Sequence, residues 1–412
     1  GDSCAGLRRY YNPGRAKPES NALPQGRKTL MKLIFAPDSF KGSLSAMDCC
    51  DILEKVTRRI FPGAETLSVP VADGGEGTVD ALLRAMGGTR MLSTVTGPLF
   101  EPVTAVWGLL PDGVTAVMEM AQASGLPYVP AERRDPRNTT SLGTGQMIAE
   151  AIRQGSRNIL LGIGGSATND GGIGMLQALG ARFEGVDGLP VEPVGRALAH
   201  VHTADFSALM PELRETQITV ICDVTNPLLG ERGATFVYGP QKGATPDIRD
   251  ALETGMAHYA QKVSASVGRD IAAFPGAGAA GGLGAALGGV LGATLKSGID
   301  AVLDAVDFDA KLDGVSLVIT GEGRIDGQSV QFGKVPVGVA RRCAARGIPT
   351  AAIVGGIGEG AEGLFDLGEC ALQTIVSGPM SLETAMRDAS ALYEQAAERL
   401  FRAIRIGMRM PR

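Results

Sequence analysis

A glycine-rich segment between an apolar run and an amphipathic segment most strongly constrains how this chain can fold. The apolar run 158–163 is typical of a buried strand, and a helical face follows it, formed by Ile173, Met175, Leu176 and Leu179. The segment 162–172 between them is rich in glycine, which lacks a Cβ, so its backbone N–H groups can approach an anion. The segment fits equally well a tight turn in which Asp170 or Asn169 caps the helix, and by itself it does not decide between the two.

The same order of strand, polar loop and helix recurs along the chain and predicts an α/β fold with parallel strands. The predicted strands of this kind cover 31–36, 66–71, 158–163, 217–222, 315–319, 350–354 and 371–376. Helices are predicted over 46–60, 79–86, 141–154, 247–267, 335–345 and most of 381–406. The segment 90–119 instead predicts antiparallel strands joined by turns such as Pro111-Asp112-Gly113.

A chain of 412 residues is long enough for two domains. The simplest division is a discontinuous α/β domain formed by 31–90 and 294–408, with a second domain, 91–293, inserted into it. Residues 1–30 are polar, contain several prolines and arginines, and have no apolar core of a secretory signal. We expect them to be a disordered extension, with Met31 a plausible natural first residue.

Composition excludes several classes of function. The net charge is -5 and no basic block occurs, so a nucleic-acid partner is not expected. No apolar stretch is suited to crossing a membrane. The six cysteines lack CxxC spacing and only three histidines are present, which argues for reduced cytoplasmic thiols and against a zinc site or a His-based triad. The segment 276–281 fits GxGxxG but follows no suitable strand, which disfavours a dinucleotide site and hence a dehydrogenase.

Polar, glycine-bearing loops follow several of the predicted strands. Their charged and amide side chains are Asp38 and Lys41, Asp73 and Glu76, Asp170, Asp223 with Asn226, and Glu322 with Arg324 and Asp326. Each loop taken singly is explained equally well by turn or capping roles. Since ligands of open α/β sheets bind beyond the carboxyl ends of strands, the recurrence predicts a carboxylate-rich cleft suited to phosphoryl transfer. The Walker and protein-kinase signatures are absent, so a kinase here would belong to another class.

Four motifs, at 36–46, 71–78, 164–172 and 320–326, together resemble those of the bacterial two-domain glycerate kinases, and the similarity extends from Met31 to about Ile406. The resemblance implies ATP-dependent phosphorylation of D-glycerate with Mg²⁺, slightly favouring 2-phosphoglycerate over 3-phosphoglycerate, in organic-acid catabolism of the glycolate, glyoxylate or glucarate type. It also implies a Rossmann-like domain from both chain ends, an inserted α/β domain, an active site in the cleft between them, a cytoplasmic location and a possible homodimer.

Roles within this resemblance are assigned by chemistry. Asp170 is the first choice for the base that accepts the substrate proton and Asp38 the second, and Lys41 or Arg324 would bind the glycerate carboxylate. Ser39, Asn169 and Ser166 are further substrate contacts. The ATP phosphates would bind Gly164, Gly165 and Ser166, with Gly278, Gly281 and Gly282 also near the nucleotide. The Mg²⁺ ligands would be Asp73, Glu322 or Asp326.

Two alternatives stay open from the sequence. The same machinery with a different pocket would phosphorylate a related small hydroxy acid. A protein of another class, a non-catalytic nucleotide or metabolite sensor, would keep the fold without turnover. Loss of the motif acids would favour the sensor, and every one of these acids is present.

Overall fold

The structure is a computed structural model, and it describes residues 31–72 and 77–410. The expected disordered extension 1–30, the proposed metal ligand Asp73 and the neighbouring Glu76 lie outside the described residues. Residues Met31–Arg412 form one compact unit. Among the described residues, no helix is both long and apolar enough to cross a membrane.

The strands form two large sheets and one short antiparallel pair. In chain order they are β1 (Lys32–Pro37), β2 (Glu65–Ser68), β3 (Thr89–Thr96), β4 (Pro102–Leu109), β5 (Thr115–Glu119), β6 (Asn158–Gly162), β7 (Arg182–Glu184), β8 (Thr203–Asp205), β9 (Gln217–Ile221), β10 (Thr294–Lys296), β11 (Leu317–Ile325), β12 (Thr350–Ile357) and β13 (Cys370–Thr374).

The helices alternate with the strands through most of the chain. They are α1 (Ala46–Ile60), α2 (Thr78–Met86), α3 (Ala121–Ser124), α4 (Leu142–Arg153), α5 (Ile173–Ala178), α6 (Ala234–Tyr238), α7 (Pro246–Val267), α8 (Ala279–Gly284), α9 (Gly298–Ala305), α10 (Phe308–Lys311), α11 (Gly327–Phe332), α12 (Val335–Ala344), α13 (Leu382–Arg387) and α14 (Ala389–Gly407). Short 3₁₀ turns and a π-helical turn, Ala285–Val290, complete the connections.

The first sheet is parallel, with strand order β13-β12-β11-β1-β2. Successive side chains of a strand point to opposite faces. In β1, Leu33 and Phe35 accordingly pack with α1 and α14, and Ile34 and Ala36 pack with α2, α9 and α12. Both faces of the sheet are thus covered by helices, as a parallel sheet requires.

The second sheet has the order β10-β9-β6-β5-β4-β3 and is mixed, parallel from β10 to β5 and antiparallel from β5 to β3. The prediction of antiparallel strands over 90–119 is confirmed. In β6, Ile159 and Leu161 pack with α4, α5 and α7 on one face. Leu160 on the other face joins the core that contains α2, α9 and α12. These three helices therefore lie between the two sheets.

The sequence prediction of an α/β fold built on parallel strands is confirmed. The strand β10 pairs with β9, so a boundary drawn by sheet membership falls after Lys296 rather than at residue 293. The division into domains itself stays a prediction.

The bounds predicted for three strands are wrong: β2 ends at Ser68 rather than at residue 71, and β11 and β12 extend beyond residues 319 and 354. The strand assigned to 315–319 continues as β11 to Ile325, through the motif expected to form a loop. The neighbouring strand also continues, and Glu322 pairs with Val354 and Arg324 with Gly356. Glycine allows this close pairing, because a Cβ at Gly321 would lie 2.0 Å from the carbonyl oxygen of Ile353.

Candidate functional site

A pocket of ≈ 240 Å³, the β6–β9 pocket, lies beyond the carboxyl ends of β6 and β9. Ligands of open α/β sheets bind in this position. Its walls are the segments 163–166 and 221–224, together with Tyr238, Gln241, Lys242, Ala279 and Ala280. The structure thus brings together Gly164, Gly165 and Ser166, the three residues expected to bind phosphate.

The turn at Gly164 and Gly165 presents backbone to this pocket. Both glycines are exposed, and a Cβ built at Gly164 would meet no atom within 4 Å. Gly165 has a φ of 71°, in the left-handed region that favours glycine. Its carbonyl accepts a hydrogen bond of 2.9 Å from the N–H of Leu126, which anchors one side of the turn. The geometry leaves the other side open to a ligand.

A lysine that the sequence analysis did not single out lies directly behind this turn. The Lys242 side chain is buried, and its Nζ donates to Ser166 Oγ at 2.8 Å and to the Thr168 carbonyl at 2.6 Å. Burial lowers the pKa of Lys242 to about 7, although the nearby Asp170 carboxylate acts in the opposite direction. The turn at Gly164 and Gly165 is therefore backed by the buried Lys242 amine, which lies near the Asp170 carboxylate.

Asp170 has no exposed surface. Its Oδ2 accepts from the N–H and the hydroxyl of Ser141, at 2.8 and 2.7 Å, and its Oδ1 accepts from the N–H of Gly172 at 3.1 Å. Burial raises the pKa of this carboxyl, and the hydrogen bonds from Ser141 and Gly172 partly offset the rise. The carboxylate joins the starts of α4 and α5. This arrangement suits a positioning role better than contact with a substrate hydroxyl.

Asn169 is also fully buried, and its Nδ2 donates to Thr235 Oγ1 at 3.1 Å. It is not among the residues that line the β6–β9 pocket. The side chain ties the glycine-rich segment to α6, which explains its position without a substrate contact.

The three glycines of the later glycine-rich segment are packed against backbone. A Cβ would lie 2.1 Å from the Pro227 carbonyl oxygen at Gly278, 1.9 Å from the Thr168 carbonyl oxygen at Gly281, and 2.7 Å from the Gly171 Cα at Gly282. The N–H of Gly171 also donates to the Gly281 carbonyl. These contacts account for the glycines without a nucleotide, while their neighbours Ala279 and Ala280 are the residues that reach the pocket wall.

A second pocket, the β1–β2 pocket, has a volume of ≈ 200 Å³ and lies beyond the carboxyl ends of those strands. It contains the predicted residues Asp38, Ser39 and Lys41. The Ser39 N–H donates to Asp38 Oδ1 at 2.6 Å. Arg84, one helical turn after Asp80 on α2, lines the same pocket and adds a cation that the sequence analysis missed.

The motif on β11 lies beside this pocket. The Asp38 N–H donates to the Gly321 carbonyl at 2.8 Å, and Glu322 is buried in the strand. The Arg324 side chain is 71% exposed, with its Nε 3.4 Å from Asp326 Oδ2. Asp326 caps α11, accepting from the N–H groups of Gln328 and Ser329 at 3.1 Å. Arg324 is not among the residues lining the β1–β2 pocket.

The carboxyl edges of the two sheets meet. Glu119, buried at the end of β5, accepts from the N–H groups of Gly77 and Val79 at the start of α2. A third pocket, of ≈ 450 Å³, is lined by residues that follow β9, including Asp223 and Asn226, and by Lys334 just before α12. Asp223 lines the β6–β9 pocket as well. The β6–β9 pocket and the third pocket thus share Asp223, and Gly77, which donates to Glu119, lines the β1–β2 pocket.

A complete set of magnesium ligands is not assembled in the part of the chain that the structure describes. No three histidine, cysteine, aspartate or glutamate side chains come together there as a metal-binding group. Asp326 is occupied as a helix cap, and Asp73 lies outside the described residues. Mg²⁺ commonly takes only one or two carboxylates together with substrate phosphates. The three predicted ligands stay a hypothesis.

The comparisons with known proteins agree with one another. The glycerate kinase family profile matches residues 33–405. The chain is 47% identical to the glycerate kinase of Bacillus subtilis (strain 168) and 46% identical to the glycerate 2-kinase of Escherichia coli (strain K12), in each case over 92% of this chain and 99% of the relative. A crystal structure of a protein provisionally assigned as glycerate kinase 2 from Salmonella typhimurium LT2 superposes with a TM-score of 0.84 at 43% identity, covering 92% of this chain and 100% of the other. These matches confirm the predicted resemblance: the chain belongs to the glycerate kinase family.

Proposed function

We propose that this protein transfers the γ-phosphoryl group of ATP to a hydroxyl of D-glycerate, with the 2-hydroxyl as acceptor. The observation that carries the proposal is the similarity to glycerate kinases over nearly the full length of each chain, including a glycerate 2-kinase at 46% identity. The organic-acid setting, the cytoplasmic location and the possible homodimer remain expectations from the resemblance.

The β6–β9 pocket is the proposed site for the ATP phosphates. Gly164 and Gly165 expose backbone there, and Ser166 adds a hydroxyl. Backbone N–H groups that point into a concave turn can stabilise phosphate through hydrogen bonds. The buried Lys242 contributes positive charge at the same wall when it is protonated.

The β1–β2 pocket is the proposed site for glycerate. Lys41 and Arg84 offer cations for the substrate carboxylate, and Ser39 offers hydrogen bonds for a hydroxyl. The volume of ≈ 200 Å³ suits a small hydroxy acid. Arg324 would have to leave its contact with Asp326 to take part.

The base is proposed to be Asp38 rather than Asp170, because Asp38 lines a pocket and Asp170 is fully buried. In the proposed step the substrate hydroxyl oxygen forms a bond to the γ-phosphorus while the bond from that phosphorus to the β–γ bridging oxygen breaks. The hydroxyl proton passes to Asp38, and ADP leaves with the electron pair of the broken bond. Mg²⁺ stays an expectation of the resemblance, and no part of this step depends on it.

The transfer requires the two pockets to share one reaction space. Glu119, at the end of β5, accepts from the N–H of Gly77, which lines the β1–β2 pocket, and this contact supports a site between the two predicted domains. Closure of the cleft over both substrates would exclude water from the phosphoryl group.

The test is release of ADP from ATP in the presence of Mg²⁺ and D-glycerate. The expected result is turnover with D-glycerate that Asp38→Asn lowers by about 10²-fold or more in kcat, as for loss of a general base. Asp51→Asn, an exposed carboxylate on α1, is the matched control and should keep the full rate. Turnover only with another hydroxy acid would assign a different substrate. Tight nucleotide binding without any turnover would indicate a sensor.

A further inference from the structure

Lys242 is an unusual residue for the interior of a protein. Its side chain is only 2% exposed, and it ends the short 3₁₀ turn Pro240–Lys242 beneath the glycine-rich segment. A buried charge costs free energy unless polar groups compensate it. Here the compensation comes from the Ser166 hydroxyl oxygen, the Thr168 carbonyl and the nearby Asp170 carboxylate. The protein therefore places a charged side chain where a neutral one would be easier to bury.

The hydrogen bond to Ser166 sets the direction of the Ser166 hydroxyl. A lysine ammonium has three donors and no acceptor, whereas a hydroxyl has one donor and two acceptor lone pairs. At a distance of 2.8 Å, the ammonium must donate and Ser166 Oγ must accept. The hydroxyl proton of Ser166 then remains available for another acceptor. Ser166 lines the β6–β9 pocket, so an anion there can be that acceptor.

We propose that Lys242 is a positioning residue for phosphate: it holds Ser166 as a hydrogen-bond donor toward an anion bound at Gly164 and Gly165. The proposal rests on the proposed function, since it assumes that the β6–β9 pocket takes the nucleotide phosphates. It goes beyond that function by making phosphate affinity depend on the protonation state of a lysine behind the pocket wall. Its second hydrogen bond, to the Thr168 carbonyl at 2.6 Å, fixes the same segment from behind.

Deprotonation leaves a lone pair on the Lys242 amine, which allows this hydrogen bond to reverse. The neutral amine can then accept a hydrogen bond from the Ser166 hydroxyl, whose proton is no longer available to an anion. The groups that face Lys242 or share its pocket are Asp170, Cys222, Asp223 and Tyr238. Burial lowers the pKa of Lys242 to about 7, so the change falls within the range of ordinary assays. Because an anion binds the charged form better, nucleotide affinity should decrease as the pH rises, by at most about tenfold per pH unit.

The experiment measures binding of ATP, without glycerate, by titration calorimetry from pH 6 to pH 9. The wild-type Kd is expected to increase by about tenfold or more over this range. Lys242→Met removes the charge at similar length and should bind weakly with little pH dependence. Ser166→Ala should bind about fivefold more weakly than the wild type, also with a reduced pH dependence. Lys55→Met, an exposed lysine paired with Glu394, is the matched control and should follow the wild type.

The double variant adds a test of coupling. If Lys242 acts through Ser166, combining Lys242→Met with Ser166→Ala should weaken binding little more than Lys242→Met does. Fully additive losses, or a wild-type Kd that does not vary between pH 6 and pH 9, would overturn the proposal. The wild-type profile and Ser166→Ala keep the test decisive even if Lys242→Met does not fold.

The outcomes separate this proposal from the proposed function. Binding that weakens with pH in a protein that does not phosphorylate glycerate would support the role of Lys242 and refute the glycerate kinase activity. Glycerate phosphorylation with an unchanged Kd in both single variants would support the activity and refute the role of Lys242. Absence of nucleotide binding would refute both.

Discussion

Replacement of Asp170 by asparagine tests whether this carboxylate organises the glycine-rich segment or acts as the base. Both carboxylate oxygens accept backbone N–H groups, Oδ2 from Ser141 at 2.8 Å and Oδ1 from Gly172 at 3.1 Å. An asparagine side chain has one acceptor oxygen, so in either orientation its NH₂ group faces one of these N–H groups. The substitution therefore leaves a buried donor unpaired whichever way the amide turns.

The magnitude follows from the hydrogen bond that the amide cannot make and from the donor that it leaves unpaired. One charge-assisted hydrogen bond contributes about 1.5–3 kcal/mol, and a buried unpaired donor costs about 1–3 kcal/mol. Asp170→Asn should thus lower the free energy of unfolding by about 2.5–6 kcal/mol. Asp205→Asn is the matched control: this carboxylate also accepts a backbone N–H, from Ser207 at 2.9 Å, but it is exposed. Its substitution should change stability by less than about 0.5 kcal/mol.

The assay is urea denaturation of both variants, together with kcat for D-glycerate under conditions in which each variant is folded. We expect a large loss of stability for Asp170→Asn and a kcat less affected than that of Asp38→Asn. Wild-type stability combined with a kcat lowered by about 10²-fold or more would refute the positioning role and return Asp170 to the role of base.

Three further predictions concern the β6–β9 pocket and the residues packed behind it. Gly281→Ala should destabilise the protein by about 2 kcal/mol or more, because its Cβ would lie 1.9 Å from the Thr168 carbonyl oxygen at a φ of 66°. Gly164→Ala should keep the wild-type melting temperature but weaken ATP binding, because its Cβ meets no atom within 4 Å. Equal melting temperatures of the two variants would contradict the packing described for Gly281. The pKa of Lys242 is lowered to about 7 in the folded protein, whereas in the unfolded chain it has its ordinary value of about 10.4. The unfolded state therefore binds the proton more tightly. The free energy of unfolding should accordingly increase from pH 7 to pH 10, by at most about 1.4 kcal/mol per pH unit. Denaturation midpoints that show the same pH dependence in Lys242→Met would contradict this assignment.

The sequence predicted those features that depend on residues close to one another in the chain. A strand followed by a polar, glycine-bearing loop and a helix is a local signal, and it located the turn at Gly164 and the loop that carries Asp38 and Lys41. The reciprocal capping box that Ser45 forms with Asp48 at the start of α1 is likewise set by residues three positions apart.

The features that the sequence did not predict depend on what packs against a residue from elsewhere in the chain. Gly281 looked like part of a nucleotide motif, but its surroundings are set by the backbone of Thr168, more than a hundred positions earlier. Asp170 carries the right chemistry for a base, and only its burial beneath α4 and α5 argues for another role. The strand β11 runs through Gly321 because the pairing with β12 continues there, which no local pattern reveals.

Two cations that line the pockets were not predicted from the sequence either. Lys242 lies in an ordinary glycine and proline turn, and Arg84 lies on an amphipathic helix where an exposed arginine is common. Neither position carries a local signal of function. Their significance comes from the pocket walls that they join, alongside Ser166 in one case and Asp38 in the other.

Phosphoryl transfer to D-glycerate can be observed directly by ³¹P NMR of a reaction containing the protein, ATP, Mg²⁺ and D-glycerate. We expect ADP and a new phosphate monoester signal split into a doublet, because phosphorus on the 2-hydroxyl couples to one carbon-bound proton. A triplet would place the phosphate on the 3-hydroxyl and contradict the proposed position. Unchanged ATP, or release of inorganic phosphate without any ester, would contradict the proposed activity as a whole.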